Sequence, residues 1–160
     1  MSEESLPVVE QRGLWYEELQ VGVRYRHSPG RTISEADNTL FSALTMNQQA
    51  LHVDEVYSAE QEFGGRLVNS MMTLAMVVGL SVNQLTQGTM VANLGFGDVK
   101  FPAPLRHGDT LRAETVVVDK RESKSRPMQG VVTLQHVGYN QRGDVVVEAT
   151  RTTLWRMEPQ

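Results

Sequence analysis

His52 is the residue of this chain best suited to chemistry, and it lies in a polar stretch between two predicted helices. Asn47 precedes it by five residues, in the segment Phe41-Ser-Ala-Leu-Thr-Met-Asn-Gln-Gln-Ala-Leu-His52. A histidine can take up and return a proton near neutral pH, which suits general acid–base catalysis. The alternative is a histidine that only forms a hydrogen bond within a turn. The sequence therefore predicts a proton-transfer site at His52, with that structural role as the alternative.

Two helices are predicted to position this stretch. Ser34 and Asp37 have the spacing of a capping box, which predicts a helix over residues 35–45 that delivers Asn47 and His52 to the loop beyond its end. Asp54 is the predicted N-cap of a second, short helix that continues to residue 59, and capping alone explains an Asp at this position. The apolar face predicted for the first helix consists of Ile33, Ala36, Leu40, Phe41 and Leu44.

The rest of the chain predicts one buried helix and a sheet. Residues 69–85 are apolar on nearly all sides of a helix, and the apolar run 71–82 is shorter than the roughly 20 residues needed to cross a bilayer. Small side chains at Ala75, Gly79 and Ser81 would let another layer approach closely. Four Val- and Thr-rich segments separated by turn signals follow, at residues 90–101, 110–121, 130–139 and 145–157. This order predicts an α+β domain in which a curved antiparallel sheet wraps a central helix.

Bulk composition limits the classes of function. The chain has 160 residues, enough for one domain, which we place at residues 14–157 behind a flexible N-terminal tail at 1–13. A net charge of −4 without basic blocks predicts neither a nucleic-acid partner nor a membrane surface. There is no cysteine, and the four histidines lack metal-ligand spacing, so no metal site is predicted. The acidic, polar N-terminus does not resemble a secretory signal, which predicts a cytoplasmic protein.

Three segments carry a family resemblance. They are Phe41 to Asp54, Phe63-Gly-Gly-Arg-Leu-Val-Asn-Ser-Met-Met72 and Phe101-Pro-Ala-Pro-Leu-Arg-His-Gly-Asp-Thr-Leu111. In order and spacing they resemble the MaoC-like, or (R)-specific enoyl-CoA hydratase, branch of the hotdog-fold proteins. The family pattern D-x-N-P-x-H reads Asn47-Gln-Gln-Ala-Leu-His52 here, so only the histidine is retained. Within the family, the sequence is more similar to the mesaconyl-CoA and itaconyl-CoA hydratase subgroup, which has similar Thr-Met-Asn and Leu-Val-Asn-Ser motifs.

The resemblance implies a lyase that interconverts a 2-enoyl-CoA and a 3-hydroxyacyl-CoA, with a short branched or dicarboxylic acyl group and no cofactor beyond the CoA thioester itself. Family members use an Asp and His pair, so His52 is expected as general base and Asn47 as the group that orients water or the thioester. The backbone amides of Ser70 and Met71, at the start of the central helix, are expected to stabilise the enolate oxygen. The alternative is that Asn69 is an ordinary N-cap whose side chain occupies these amides, and both roles could hold if Asn69 caps one amide and leaves the next free.

Further candidates bind the substrate's charged groups. Arg66, after two glycines, could form bidentate hydrogen bonds with a distal acyl carboxylate, although a solvated loop Arg is the alternative. Candidate contacts for the CoA phosphates are Arg106, Lys124 and Arg126, in turns where cations are commonly just solvated. A carboxylate from another segment could also replace the missing Asp, and the two candidates for this are Glu55 and Asp98.

Two other functions stay open. The first is a thioesterase of the same fold, but proteins that resemble hotdog thioesterases generally place a carboxylate nucleophile or base on or near the central helix. Residues 69–85 contain neither Asp nor Glu, which disfavours hydrolysis. A non-catalytic acyl-CoA-binding protein is compatible with Asn47 in place of Asp but not favoured by the retained His52. Because an exposed edge strand can pair with a second copy and hotdog proteins commonly do so, we expect a homodimer or a dimer of dimers.

Overall fold

The computed structural model describes residues 6–159, which form one sheet and four helices. The strands are β1 (Arg24–Arg26), β2 (Arg31–Thr32), β3 (Met90–Lys100), β4 (Thr110–Glu122), β5 (Gln129–Tyr139) and β6 (Val145–Arg156). The helices are α1 (Glu35–Leu44), α2 (Ala50–Val53), α3 (Glu55–Ala59) and α4 (Ser70–Ser81), and a π-helical turn (Val82–Thr86) continues α4.

The sheet is antiparallel, with strand order β1-β4-β5-β6-β3, and β2 pairs separately with β4. Strands β5 and β6 form a long antiparallel hairpin, at two of the strand segments predicted from the sequence. Helix α4 packs against β4, β5 and β6, which together wrap one side of it. The predicted α+β architecture, a central helix wrapped by an antiparallel sheet, is confirmed.

The apolar core is divided into two clusters by a row of polar side chains. Along β4, Ala113 belongs to the first cluster, Thr115 to the polar row and Val117 to the second cluster. The first cluster consists of Ile33, Val68, Met72, Val77, Leu105, Leu111, Ala113, Val146 and Val147. The second consists of Tyr16, Leu19, Leu85, Val117, Val132, Leu134 and Trp155.

The polar row is a chain of hydrogen bonds of 2.8 Å each, from Gln84 to His27, then Thr115 and His136. The Gln84 carbonyl oxygen can only accept, so His27 carries its proton on Nδ1 and accepts the Thr115 hydroxyl proton at Nε2. His136 then donates to Thr115 through Nδ1–H, and His136 Nε2 has no partner among residues 6–159. Burial lowers the pKa of His136 to about 3, with further lowering by Arg151 and His27.

The segment before β1 closes one end of the core. Backbone N–H groups of Gly13 and Leu14 donate to carbonyls of the turn after α4, at 2.7 and 2.9 Å. The Tyr16 ring lies directly on Gly130 of β5, where an added Cβ would be only 2.2 Å from a ring carbon. The domain start predicted at Leu14 stays a prediction, since residues 1–5 of the predicted tail lie outside the described residues.

Helix α4 departs from the buried helix predicted by its composition. Met71 is 51% exposed, and Ala75 and Gly79, each four residues further on, are exposed as well. Among residues 6–159 the sheet packs on one side of the helix, and the opposite face, with Met71, Ala75 and Gly79, is exposed. It also ends at Ser81 rather than Leu85, because the last turn widens into the π-helical turn.

Candidate active site

His52 lies on the single turn of α2, not in the open loop predicted from the sequence. A four-residue helix is too short to be stable alone, and here it is fixed by a hydrogen bond from Leu67 N–H to the Leu51 carbonyl, at 3.1 Å. The His52 ring is half-buried, and its Nδ1 lies 3.0 Å from the Leu67 carbonyl oxygen. Because a carbonyl only accepts, the ring proton is on Nδ1 and the lone pair on Nε2 is available as a base.

The N-terminus of α4 begins three residues after Leu67. Asn69 is the N-cap, 2% exposed, and its Oδ1 accepts the Met71 N–H at 3.0 Å. The expectation that both Ser70 and Met71 offer free amides is therefore wrong for Met71. Within residues 6–159 the Ser70 N–H has no hydrogen-bond partner, and the helix dipole adds positive potential there. The Asn69 Nδ2 group is also buried without a partner in the described part of the chain.

Asn38 of α1, which the sequence analysis missed, joins the two parts of the site. Its Oδ1 accepts the Asn69 N–H at 2.8 Å. Its Nδ2 lies 3.2 Å from the Leu67 carbonyl, 3.3 Å from the His52 carbonyl and 3.0 Å from His107 Nε2. Burial, followed by the charge of Arg66, lowers the pKa of His107. Asn38 is fully buried.

The face that α1 buries differs from the predicted one. Leu40 and Leu44 are 61% and 75% exposed, whereas Asn38 and Ser42, one turn apart, are fully buried. The sequence did contain a signal, because Asn is a poor residue for the interior of a helix unless its side chain has a specific partner. Of the predicted apolar face, Ile33 is fully buried in the core and Phe41 packs against it, partly buried.

Asn47 lies beyond the end of α1, where the chain turns through Met46 with a φ of 56°. Its N–H donates to the Ser42 carbonyl at 2.9 Å, and its Oδ1 accepts the Gln49 N–H at 3.3 Å. The side chain is half-buried. Among the described residues, no hydrogen bond joins Asn47 to His52. Asp54, by contrast, caps α3 as predicted, accepting the Tyr57 N–H at 3.0 Å.

Arg66 is bound by two carboxylates of the same chain. Its Nε donates to Glu55 at 2.6 Å, its Nη2 donates to Glu35, and its side chain is only 13% exposed. These two partners raise the pKa of Arg66. The Glu55 carboxylate therefore forms an ion pair, and Asp98, the other candidate acid, is exposed on β3. A substrate carboxylate at Arg66 would have to displace an existing partner.

The three predicted cations do not converge on one place. Arg106 donates through Nη2 to the Phe63 carbonyl, beside the loop that carries Arg66. Lys124 and Arg126, with Arg121, line a separate groove of about 370 Å³ between β3 and the β4–β5 turn.

A small apolar cavity adjoins the α4 N-terminus. Its volume is about 210 Å³, and no charged side chain lines it. A larger cavity of about 640 Å³ lies by the β1–β2 connection and contains His27 but not His52, so it belongs to another part of the molecule. The residues that line the small cavity are Phe63, Leu67, Val68, Ser70, Thr73, Phe101, Pro102, Ala103, Pro104, Leu105 and Val146.

The described residues contain neither a membrane-spanning helix nor a group of possible metal ligands. No helix within residues 6–159 is long and apolar enough to cross a bilayer. In the same range, no three His, Asp or Glu side chains are grouped so that they could hold a metal ion.

Comparison with known proteins gives consistent similarities. The family model described as MaoC like domain matches residues 18–140. Mesaconyl-CoA hydratase of Cereibacter sphaeroides is 30% identical over 144 residues, which are 90% of this chain and 41% of that protein. The crystal structure of the MaoC-like dehydratase from Rhodospirillum rubrum is 31% identical, with a TM-score of 0.82 over 92% of this chain and 100% of that chain.

The fold has further support from a distant structure. A Mycobacterium tuberculosis protein described as a double hotdog fold matches with a TM-score of 0.80 at 21% identity, over 92% of this chain and 46% of that chain. The predicted hotdog fold is thus confirmed. The chain spans only 40–42% of the length of the mesaconyl-CoA hydratases and the β-methylmalyl-CoA dehydratase that it matches.

Proposed function

Because the chain belongs to the MaoC-like domain family, we propose that it is a hydratase or dehydratase that interconverts a 2-enoyl-CoA and a 3-hydroxyacyl-CoA. The observation that carries this proposal is the hydrogen bond from His52 Nδ1–H to the Leu67 carbonyl, which leaves the Nε2 lone pair free. Proton abstraction from water requires such a free lone pair, and the Leu67 that accepts the Nδ1–H lies three residues before the first residue of α4.

The proposed hydration uses His52 twice. Nε2 removes a proton from water while the water oxygen attacks C3 of the enoyl thioester. The electron pair of the double bond moves through C2 to the thioester oxygen, which becomes an enolate. The imidazolium then returns the proton to C2, so that hydroxyl and hydrogen have been added across the double bond. Dehydration is the reverse sequence, and neither direction requires a cofactor.

The enolate oxygen needs a hydrogen-bond donor that is not already paired with another acceptor. We assign this role to the Ser70 N–H, which has no partner among residues 6–159 and lies at the positive end of α4. Asn69 supports it by capping the next amide. Asn47 is proposed to orient the attacking water, since an amide can donate and accept hydrogen bonds but cannot exchange a proton at neutral pH.

The acyl group is proposed to enter the 210 Å³ cavity beside Ser70, whose size suits a short chain. Its apolar lining favours an uncharged, short or branched acyl group. The names of the mesaconyl-CoA hydratases favour a carboxylated one, for which Arg66 stays the candidate. In that role, the substrate carboxylate would replace Glu35 or Glu55 as a partner of Arg66. Of the three cations, Arg106 is the one we propose for a CoA phosphate, because it contacts Phe63 at the rim of this cavity.

We also propose that the active protein is a homodimer. The exposed α4 face and the free side of β3 are both apolar, with Leu94 53% and Phe96 42% exposed. Among the strands that the structure describes, β3 lies at the end of the sheet and pairs with β6, so its other edge could pair with a second copy.

The test is a substrate panel with wild type and His52→Ala. Crotonyl-CoA, mesaconyl-CoA and itaconyl-CoA are each incubated with protein, while loss of enoyl-thioester absorbance and release of free thiol are followed. A hydratase loses absorbance without releasing thiol, a thioesterase releases thiol, and a binding protein does neither. We expect hydration that His52→Ala lowers by about 10²- to 10⁴-fold. Equal rates for wild type and His52→Ala would end the assignment of His52.

A further inference from the structure

The hydrogen bonds of Asn38 suggest a role that extends beyond helix packing. Its amide orientation is fixed, because Asn69 N–H can only donate and the Leu67 and His52 carbonyls can only accept. A flipped amide would place N–H against N–H and oxygen against oxygen. Asn38 therefore holds three backbone groups, from the segments that carry His52 and the α4 N-cap, in one mutual arrangement.

His107 stabilises the same orientation from the other side. The Asn38 Nδ2 group has two hydrogens for three acceptors, which are the Leu67 and His52 carbonyls and, at 3.0 Å, His107 Nε2; a neutral His107 with its lone pair on Nε2 can accept one of them. Burial and the positive charge of Arg66 lower the pKa of His107, against the opposing effects of Glu35 and Glu55.

The Leu67 carbonyl connects Asn38 to the reactive ring. It accepts both Asn38 Nδ2 at 3.2 Å and His52 Nδ1 at 3.0 Å. Its direction decides which His52 nitrogen carries the proton, because the Nδ1–H form is held only while the carbonyl faces the ring. Without that carbonyl, an imidazole is free to place its proton on Nε2, where it would block the base.

From these contacts we propose that Asn38 is a positioning residue for the reaction: it fixes the Leu67 carbonyl and, through it, the His52 tautomer with the lone pair on Nε2. This inference rests on the proposed hydratase function, but its structural part can be tested without activity.

The experiment compares Asn38→Ala with Asn140→Ala, a matched control in which another buried asparagine, 2% exposed in the β5–β6 turn, is truncated. Asn38→Ala should lower kcat by roughly 10²-fold with KM nearly unchanged, since the base is misplaced while binding groups remain. Long-range proton–nitrogen spectra of ¹⁵N-labelled protein should show His52 as Nδ1–H in wild type and in Asn140→Ala. In Asn38→Ala they should show a mixture in which Nε2–H is present.

An unchanged His52 tautomer and an unchanged kcat in folded Asn38→Ala would overturn the proposal. If wild type itself lacks hydratase activity, the proposed function fails, while the tautomer measurement still decides the role of Asn38. Should Asn38→Ala not fold, Asn38→Asp serves, because it keeps the shape but faces two carbonyls and His107 with a carboxylate. It should raise the pKa of His107 and disturb the His52 tautomer, and a variant with wild-type spectra for both rings would equally overturn the proposal.

Discussion

Acid should destabilise this protein well before its carboxylates are protonated, because His136 is buried in neutral form. The pKa of His136 is lowered to about 3 in the folded chain, against about 6.5 in an unfolded one. Below about pH 6.5 the unfolded chain therefore binds a proton that the folded chain does not. Stability from this residue is complete above that pH and is lost as the pH falls from 6.5 towards 3.

The magnitude follows from the size of the shift. Each pKa unit corresponds to about 1.4 kcal/mol, so the roughly 1.5 units between pH 6.5 and pH 5 predict a loss of about 2 kcal/mol at pH 5. Burial lowers the pKa of His27 as well, which acts in the same direction. The lowered pKa values of carboxylates such as Asp109 and Glu114 affect stability only at lower pH.

The assay is urea unfolding at about pH 8 and about pH 5, at fixed protein concentration, for wild type and His136→Asn. The variant keeps an amide donor for Thr115 but has no titrating group at position 136, and its other histidines are those of wild type. Wild type should lose about 2 kcal/mol more than the variant between the two conditions. Equal losses would show that His136 is not the buried neutral base described above.

Three further outcomes are expected. Asn47→Ala should lower kcat by roughly 10²-fold with KM nearly unchanged if one transition-state hydrogen bond is lost, and a kcat equal to wild type would remove Asn47 from the site. Gly130→Ala should lower the free energy of unfolding by about 1–3 kcal/mol or more, because its Cβ would overlap the Tyr16 ring; Gly95→Ala, with open space around it, is the control, and equal effects in chemical denaturation would refute the reasoning. Leu94→Asp should convert the proposed dimer to monomer in sedimentation velocity, whereas a wild type that sediments as monomer at micromolar concentration would contradict the dimer itself.

The sequence predicted well those elements whose signals are local. The capping box at Ser34 and Asp37, the cap at Asp54 and the four long strands all appear where expected. Each depends on a hydrogen bond between near neighbours or on a repeat along one segment. The family segments likewise predicted the hotdog fold, because their order and spacing resemble those of the family.

The parts that could not be predicted depend on contacts between distant segments. The position of α2 depends on hydrogen bonds with Leu67, fifteen residues after His52. Helix α1 buries Asn38 rather than Leu40 because the Asn38 side chain forms hydrogen bonds with backbone groups of other segments. The pairing of Arg66 with two glutamates, eleven and thirty-one residues away, has no sequence signature, and its substrate role stays a prediction. Tertiary hydrogen bonds and ion pairs decided these positions, not local propensity.

The polar row across the sheet also bears on strand alignment. A slip of β5 by two residues along β4 would keep the alternation of inward and outward side chains, so apolar burial alone discriminates weakly against it. In the observed register His136 lies opposite Thr115, with Leu134 opposite Val117. The slipped sheet would place His136 opposite an apolar residue, and a buried imidazole left without its partner costs about 1–3 kcal/mol. The hydrogen bond between the Thr115 hydroxyl and the His136 ring therefore favours the observed register of β4 and β5 over the slipped one.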